Sequence, residues 1–232
     1  MSIAERLAEV RARIAAAAQS AGRDPASIRL IAVSKTVPIA GIREAYAAGQ
    51  RDFGENRVQE ALQKIQTSSD LDTRWHLLGH LQTNKARKAG VAFAAIQSID
   101  SLDLLKKLDQ AAAEAGSAPD LLIQVDLAGE ATKFGAAPRD VPAFLETAAG
   151  LQAARVVGLM TLPPAPATPE DARPWFRRLR ALRDEWLAAG VPSPMLRELS
   201  MGMSGDFEVA IQEGATMVRV GTAIFGSRHG QR

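Results

Sequence analysis

A closed barrel of eight parallel β-strands alternating with helices, a (β/α)8 TIM barrel of the α/β class with an extra N-terminal helix, is the fold this sequence predicts. Three observations lead there. About eight short apolar runs recur along the chain with amphipathic segments between them. Strands separated by helices make parallel βαβ units. The length, 232 residues, suits one such barrel, whereas an open doubly wound sheet rarely needs so many strands.

The elements follow in order. MSIAERLAEVRARIAAAAQSAGRD carries Ala and Leu among charges at helical spacing, so residues 1–29 read as a helical segment ahead of a barrel over 30–226, with 1–232 as one domain. The strands are read at Leu30–Ser34, Asp52–Gly54, His76–Leu78, Ala94–Ser98, Leu121–Leu127, Val156–Met160, Leu199–Met201 and Met217–Val220. Ile42, Ala45 and Tyr46 share a helix face that Gly49 terminates. Further faces join Val58, Leu62 and Ile65, then Leu105, Leu108 and Ala112, then Trp175, Leu179, Leu182 and Trp186. The Pro-rich stretch Leu162–Glu170 lies between the sixth strand and a helix and reads as a surface loop, because two strands follow it.

Composition narrows the function. There are no cysteines, which removes disulfide frameworks, thiolate metal sites and cysteine nucleophiles and fits a reducing cytoplasm. The net charge is only +2, which is no nucleic-acid footprint. The N-terminus lacks the basic-then-apolar pattern of a secretory signal, and no run reaches the ~18 apolar residues of a membrane span. The expectation is a cytoplasmic protein with neither nucleic-acid nor membrane partners.

Barrels of this type place their sites at the C-terminal ends of the strands. Lys35 ends the first strand there. Desolvation in the barrel mouth would lower its pKa and free the amine to attack a carbonyl and form a Schiff base; a snorkelling or salt-bridged lysine is the plainer alternative. The loops after the seventh and eighth strands carry Gly202, Ser204, Gly205, Gly221 and Thr222. Small residues let backbone N–H groups approach an anion, and phosphate sites in such barrels commonly use these two loops. Tight turns, with Ser204 capping the next helix, would explain the same residues. A lysine for an aldehyde and a phosphate cradle on one rim point together at pyridoxal 5′-phosphate (PLP).

Other patterns are weaker. His76 and His80 are four apart, but across a strand and a loop, with no carboxylate alongside to make a zinc site. Gly202-Met203-Ser204-Gly205-Asp206 has Asp where a nucleophile elbow needs Gly. Asn56, with Gln59 three residues on, would make a capping box for the helix carrying Val58. Lys85, Arg87 and Lys88 read as a solvated helix face.

The strings LIAVSKT, FGENRVQE, WHLLGHLQTNK, LSMGMSGDFEVAI and VRVGTAIFG closely resemble the pyridoxal phosphate homeostasis family (the YggS/PROSC-type PLP-binding proteins). The likeness runs from about Leu30 to Gly226. It implies a PLP-bearing barrel similar to the N-terminal domain of alanine racemase, one that buffers or delivers PLP. On that resemblance Lys35 is the Schiff-base lysine and Arg219 faces the pyridine nitrogen. Gly221, Thr222, Ser204 and Ser200 form the phosphate cradle, and Asn56 lines the ring. A permanently charged arginine at that nitrogen makes PLP a poorer electron sink than an acidic residue would. Racemases of this fold add a tyrosine base from a second domain. The sequence as it stands lacks that domain, and its only tyrosine, Tyr46, is mid-helix on an apolar face.

The leading expectation is therefore a non-enzymatic PLP-binding protein with apo-PLP enzymes as recipients, monomeric because the dimerising domain is missing. The runner-up is a weak racemase or transaminase-like enzyme, and a third reading is a cofactor-free aldolase using Lys35. Lys85 and Lys133 stay open as secondary PLP sites.

Overall fold

Side chains alternate across a strand, so a strand in a closed barrel sends every second residue into the lumen and the others toward the helices. The helix-facing set is mostly apolar here, while the lumen-facing set mixes apolar side chains with buried polar ones such as His76, Gln97 and Ser200. The computed structural model describes residues 1–129 and 134–226. The eight strands are β1 (Arg29–Val33), β2 (Asp52–Glu55), β3 (Arg74–Leu77), β4 (Ala95–Ile99), β5 (Asp120–Gln124), β6 (Arg155–Met160), β7 (Glu198–Met203) and β8 (Met217–Val220). All neighbours pair in parallel in chain order, and β8 closes on β1 with Ile31 opposite Arg219. Each expected strand falls on an observed one, displaced by a few residues at its ends. The largest difference is at the fifth: β5 ends at Gln124, and Val125 instead bridges to Ala136.

The helices among the described residues are α1 (Ile3–Ser20), α2 (Ile39–Ala47), α3 (Val58–Thr67), α4 (Ala86–Ala92), α5 (Leu102–Ala115), α6 (Val141–Ala148), α7 (Arg173–Ala188), α8 (Phe207–Gln212) and α9 (Thr222–Phe225). α1 opens with a capping box in which the Ser2 hydroxyl and the Glu5 carboxylate each take the other's backbone N–H. It buries Leu7, Val10, Ile14 and Ala18. Arg6 Nε donates to Ile224 O at 2.6 Å, which ties this added helix to α9 beneath the candidate anion loops. None of these helices is long and apolar enough to cross a membrane.

Two expected details change. α3 begins at Val58 with Arg57 before it and no side-chain cap, so Asn56 and Gln59 make no capping box; Asn56 belongs to the β2 loop instead. The buried stripe of α7 is Phe176, Leu179, Leu182 and Trp186, with Phe176 taking the place expected for Trp175, which is only half-buried. One apolar core lies between sheet and helices. A second, small apolar cluster is made of Ile31, Leu78, Leu122, Val157, Met160 and Met217.

Candidate functional site

At the C-terminal mouth of the barrel the lumen widens into a cavity of about 560 Å3, within the range of about 300–1,000 Å3 usual for small-molecule sites. Its wall includes Lys35, Asn56, His80, Gln124, Ser204, Arg219, Gly221 and Thr222, with apolar surface from Val33, Leu78, Phe134, Leu162 and Met203. Six of the seven residues singled out as cofactor-binding are on this one wall. Ser200 is not.

Lys35 follows Val33 by two positions, so strand parity carries it toward the lumen just beyond the end of β1. The backbone around it is held from behind. Thr36 has φ +64°, a left-handed conformation that costs a β-branched residue of the order of 1–3 kcal/mol. Its N–H donates to Glu60 Oε1 at 2.6 Å. On the other side of Lys35, Ser34 O accepts from Lys64 Nζ at 2.7 Å, and the Ser34 hydroxyl donates to Glu55 Oε1 at 2.6 Å. Lys64 also bonds Glu55 Oε1 at 2.8 Å and Glu60 Oε1 at 2.7 Å. Glu55 is fully buried, and burial pushes its carboxyl up despite Lys64 and Ser34. Its Oε2 has no hydrogen-bond partner among the described residues.

Arg219 enters from β8. It is almost completely buried, and desolvation brings its pKa down to about 10, which leaves it charged at neutral pH. Nη1 donates to Ser200 Oγ at 2.6 Å and Nη2 to Thr161 O at 2.9 Å. Ser200 thus lies beneath the cavity, in the lumen, and supports the arginine. The physical reason is rise along the strand: four residues at ~3.3 Å each separate Ser200 from the rim loop that carries Ser204.

The two glycine-bearing loops meet directly. Gly221 N donates to Ser204 Oγ at 3.1 Å, and Thr222 begins α9 beside them. Ser204 does not cap α8; Asp206 precedes that helix, and its Oδ1 accepts from Met203 N at 2.6 Å. Burial raises the Asp206 carboxyl, against the pull of that N–H and of Arg219. Gly202 has φ +92°, and a Cβ there would stand 2.5 Å from Ala210 Cβ. A register shift between Ser200 and Met203 accompanies it and turns Met203 to the cavity. At Gly79 a Cβ would lie 2.2 Å from Asn56 O, so only glycine lets the β2 and β3 loops pack together.

Sequence reasoning missed several lining groups. Gln124 donates to Phe134 O at 2.6 Å and anchors the β5 loop. Phe134 stacks on His80, with centroids 3.6 Å apart, and His80 Nδ1 lies 2.9 Å from Asp100 Oδ2. A glutamine inside an apolar strand at an inward parity was the available signal for Gln124. His76 is in the lumen and His80 on the rim, which separates that pair. Lys85 immediately precedes α4 and is not on the cavity wall, and Lys133 is outside the described residues. Tyr46 is on α2, its ring under Arg51 and its hydroxyl accepting from Asp72 N, away from the cavity.

Residues 6–229 match the family of the alanine racemase N-terminal domain. The chain belongs to that family. Its curated relatives include the pyridoxal phosphate homeostasis proteins of Aquifex aeolicus, 45% identical over 98% of this chain and 99% of that one, and of Pseudomonas aeruginosa, 47% identical over 98% and 96%. Among solved structures, PipY of Synechococcus elongatus with PLP bound is similar at TM-score 0.86 and 47% identity, covering 97% of this chain and 100% of that one. Alanine racemase of Clostridium difficile has TM-score 0.71 at 16% identity over 88% of this chain and 53% of its own, which is a likeness of fold.

The donor set suits a ligand of PLP's chemistry. A lysine amine, a buried guanidinium and a hydroxyl–amide cluster at the end of two glycine loops converge on one mostly apolar cavity, as an aldehyde, a ring nitrogen acceptor and a phosphate on an aromatic ring require.

Proposed function

We propose that this protein binds pyridoxal 5′-phosphate in the cavity at the C-terminal mouth of its barrel, and that it holds and releases the cofactor for PLP homeostasis rather than turning over a substrate. The observation that carries the reading is the convergence of Lys35, Arg219, Ser204, Gly221 and Thr222 on that cavity. PipY's PLP-bound structure and the relatives' naming support it.

When bound, PLP supplies an aldehyde that condenses with an amine and a ring that withdraws electrons. We assign Lys35 to the aldehyde, Arg219 to the ring nitrogen, Ser204, Gly221 and Thr222 to the phosphate and Asn56 to the ring's flank. Ser200 passes from the phosphate cradle to the support of Arg219. Arg219, as a charged guanidinium, would donate a hydrogen bond to the ring nitrogen and disfavour a proton there, which would weaken carbanion stabilisation. Racemisation also needs proton transfer on both faces of Cα. Lys35 would serve one face, and no tyrosine lines the cavity among the described residues. Two lost effects of acid–base size amount to roughly 10⁴-fold or more. His80, paired with Asp100 on the cavity wall, is the group that favours the second reading, a slow racemase- or transaminase-like enzyme.

In this proposal residues 1–232 act as one domain, as a cytoplasmic monomer that passes PLP to apo-PLP enzymes. The purified protein should be yellow with PLP. Borohydride reduction should fix a pyridoxyl group on Lys35, and Lys35→Ala should lose both signals while keeping its fold. A pyridoxyl group chiefly on another lysine overturns the assignment. Amino-acid racemisation that depends on Lys35, read by chiral chromatography, would promote the second reading.

A further inference from the structure

We propose that a column of polar side chains through the barrel lumen, Ser200, Gln97, His76 and Asp52, consists of positioning residues that fix the orientation of Arg219 and thereby let the cavity distinguish a ring nitrogen from a ring carbon. The inference rests on the PLP reading above and assigns these residues a role in its specificity.

The chain of contacts is continuous. Arg219 Nη1 donates to Ser200 Oγ at 2.6 Å, and Ser200 Oγ donates to Gln97 Oε1 at 2.6 Å. Gln97 Nε2 lies 3.2 Å from His76 Nδ1, and His76 Nε2 lies 3.0 Å from Asp52 Oδ1. Arg74 closes the far end with Nε on Oδ1 at 2.9 Å and Nη2 on Oδ2 at 2.6 Å. Ser200 and Gln97 have no exposure, and His76 and Asp52 have 2% and 6%. The column therefore runs from the opposite face of the barrel to the cavity, where layers of branched apolar side chains ordinarily fill such a lumen.

Its direction is forced at both ends. A guanidinium only donates and a carboxylate only accepts. Ser200 must accept from Arg219 and so donates onward to Gln97 Oε1. The amide then presents Nε2–H to His76 Nδ1, which must accept, so the imidazole proton sits on Nε2 and points to Asp52. A second proton on His76 would set Nδ1–H against the Gln97 amide donor. Every donor in the column thus points away from the cavity, and Arg219 has a single arrangement that satisfies it. With Thr161 O fixing Nη2, the guanidinium meets the cavity in one plane. An apolar lumen would fill the space without setting that plane.

The test compares binding of PLP and of its 1-deaza analogue, in which CH replaces the ring nitrogen, to the full-length protein and its variants. The wild type should prefer PLP by about tenfold or more, the size of one hydrogen bond to a charged donor. Ser200→Ala and Gln97→Leu should cut that preference by most of its size and leave affinity for the analogue nearly unchanged. Ser200→Thr, which keeps the hydroxyl, should retain it. Equal losses for both ligands, or an unchanged ratio in the folded variants, overturn the inference and leave PLP binding standing, as does a wild type that binds both ligands equally. A wild type that binds neither overturns both readings. Should Gln97→Leu fail to fold, Ser200→Ala and its rescue by Ser200→Thr decide the question.

Discussion

Lys64→Met tests how far the Lys35 end of β1 depends on charges behind the barrel wall. Lys64 makes three hydrogen bonds, to Glu55, Glu60 and Ser34 O, and its side chain is 11% exposed. Removing it leaves Glu55 buried with the Ser34 hydroxyl alone. Breaking one side of a buried ion pair costs about 3–5 kcal/mol, and the slight exposure of Lys64 places the expectation near the lower figure, about 3 kcal/mol at pH 7. The sign with pH follows from the raised Glu55 carboxyl. A carboxyl raised in the folded state carries a penalty that is absent below the unfolded value of about 4.3, grows as pH rises from there toward the higher folded value and is complete above it. Loss of Lys64 raises the carboxyl further, so the deficit should be larger at pH 7 and shrink toward pH 4. Urea unfolding of wild type, Lys64→Met, Glu55→Gln and the double variant at both pH values measures this, and Glu55→Gln should recover most of the loss in the Lys64→Met background. A cost below about 1 kcal/mol, the size of an exposed pair, would refute the reasoning, as would equal deficits at both pH values.

Thr222→Ala or Ser204→Ala should weaken PLP more than pyridoxal, by about 1.5–3 kcal/mol, read by fluorescence titration with each ligand; equal losses would place the phosphate elsewhere. Gly79→Ala forces the new methyl against Asn56 O and should cost about 1–3 kcal/mol in urea unfolding, with a matching loss of PLP affinity because Asn56 is on the cavity wall. At Asp52, burial pushes the carboxyl up, but His76 and Arg74 together outweigh it and hold the group below its usual range. The stability it contributes is present above the unfolded value of about 3.9 and lost as pH falls through the lower folded value. Asp52→Asn should accordingly cost about 1.5–3 kcal/mol at neutral pH, and its melting curve should converge on that of wild type under strong acid.

The barrel was legible because its signals are local. An apolar run of LIAVS type followed by an i, i+3, i+4 face such as Ile42, Ala45 and Tyr46 encodes a strand and its helix within a few residues, and eight repeats leave one economical closure. Lys35 was legible for the same reason: a charged residue directly ending an apolar strand has few places to be except the mouth. The two glycine-bearing loops were legible from their position after the last two strands. Helix starts were less so, since Asn56 and Ser204 are good capping residues that the tertiary contacts of their loops use differently.

What the amino-acid sequence by itself determined is the order of elements, the rim on which reactive residues fall and the family resemblance carried by its motifs. What only the tertiary structure decided is depth and partnership across the barrel. Ser200 and Ser204 are equally plausible anion ligands in a string, but the strand's rise buries the first beneath Arg219 and the register shift at Gly202 delivers the second to the rim. Ser200 meets Gln97 across 103 residues of chain, and Arg219 meets Thr161 across 58. Such contacts depend on the register with which eight strands close, a property of all of them together, whereas periodicity reports only what each strand does with its own neighbours.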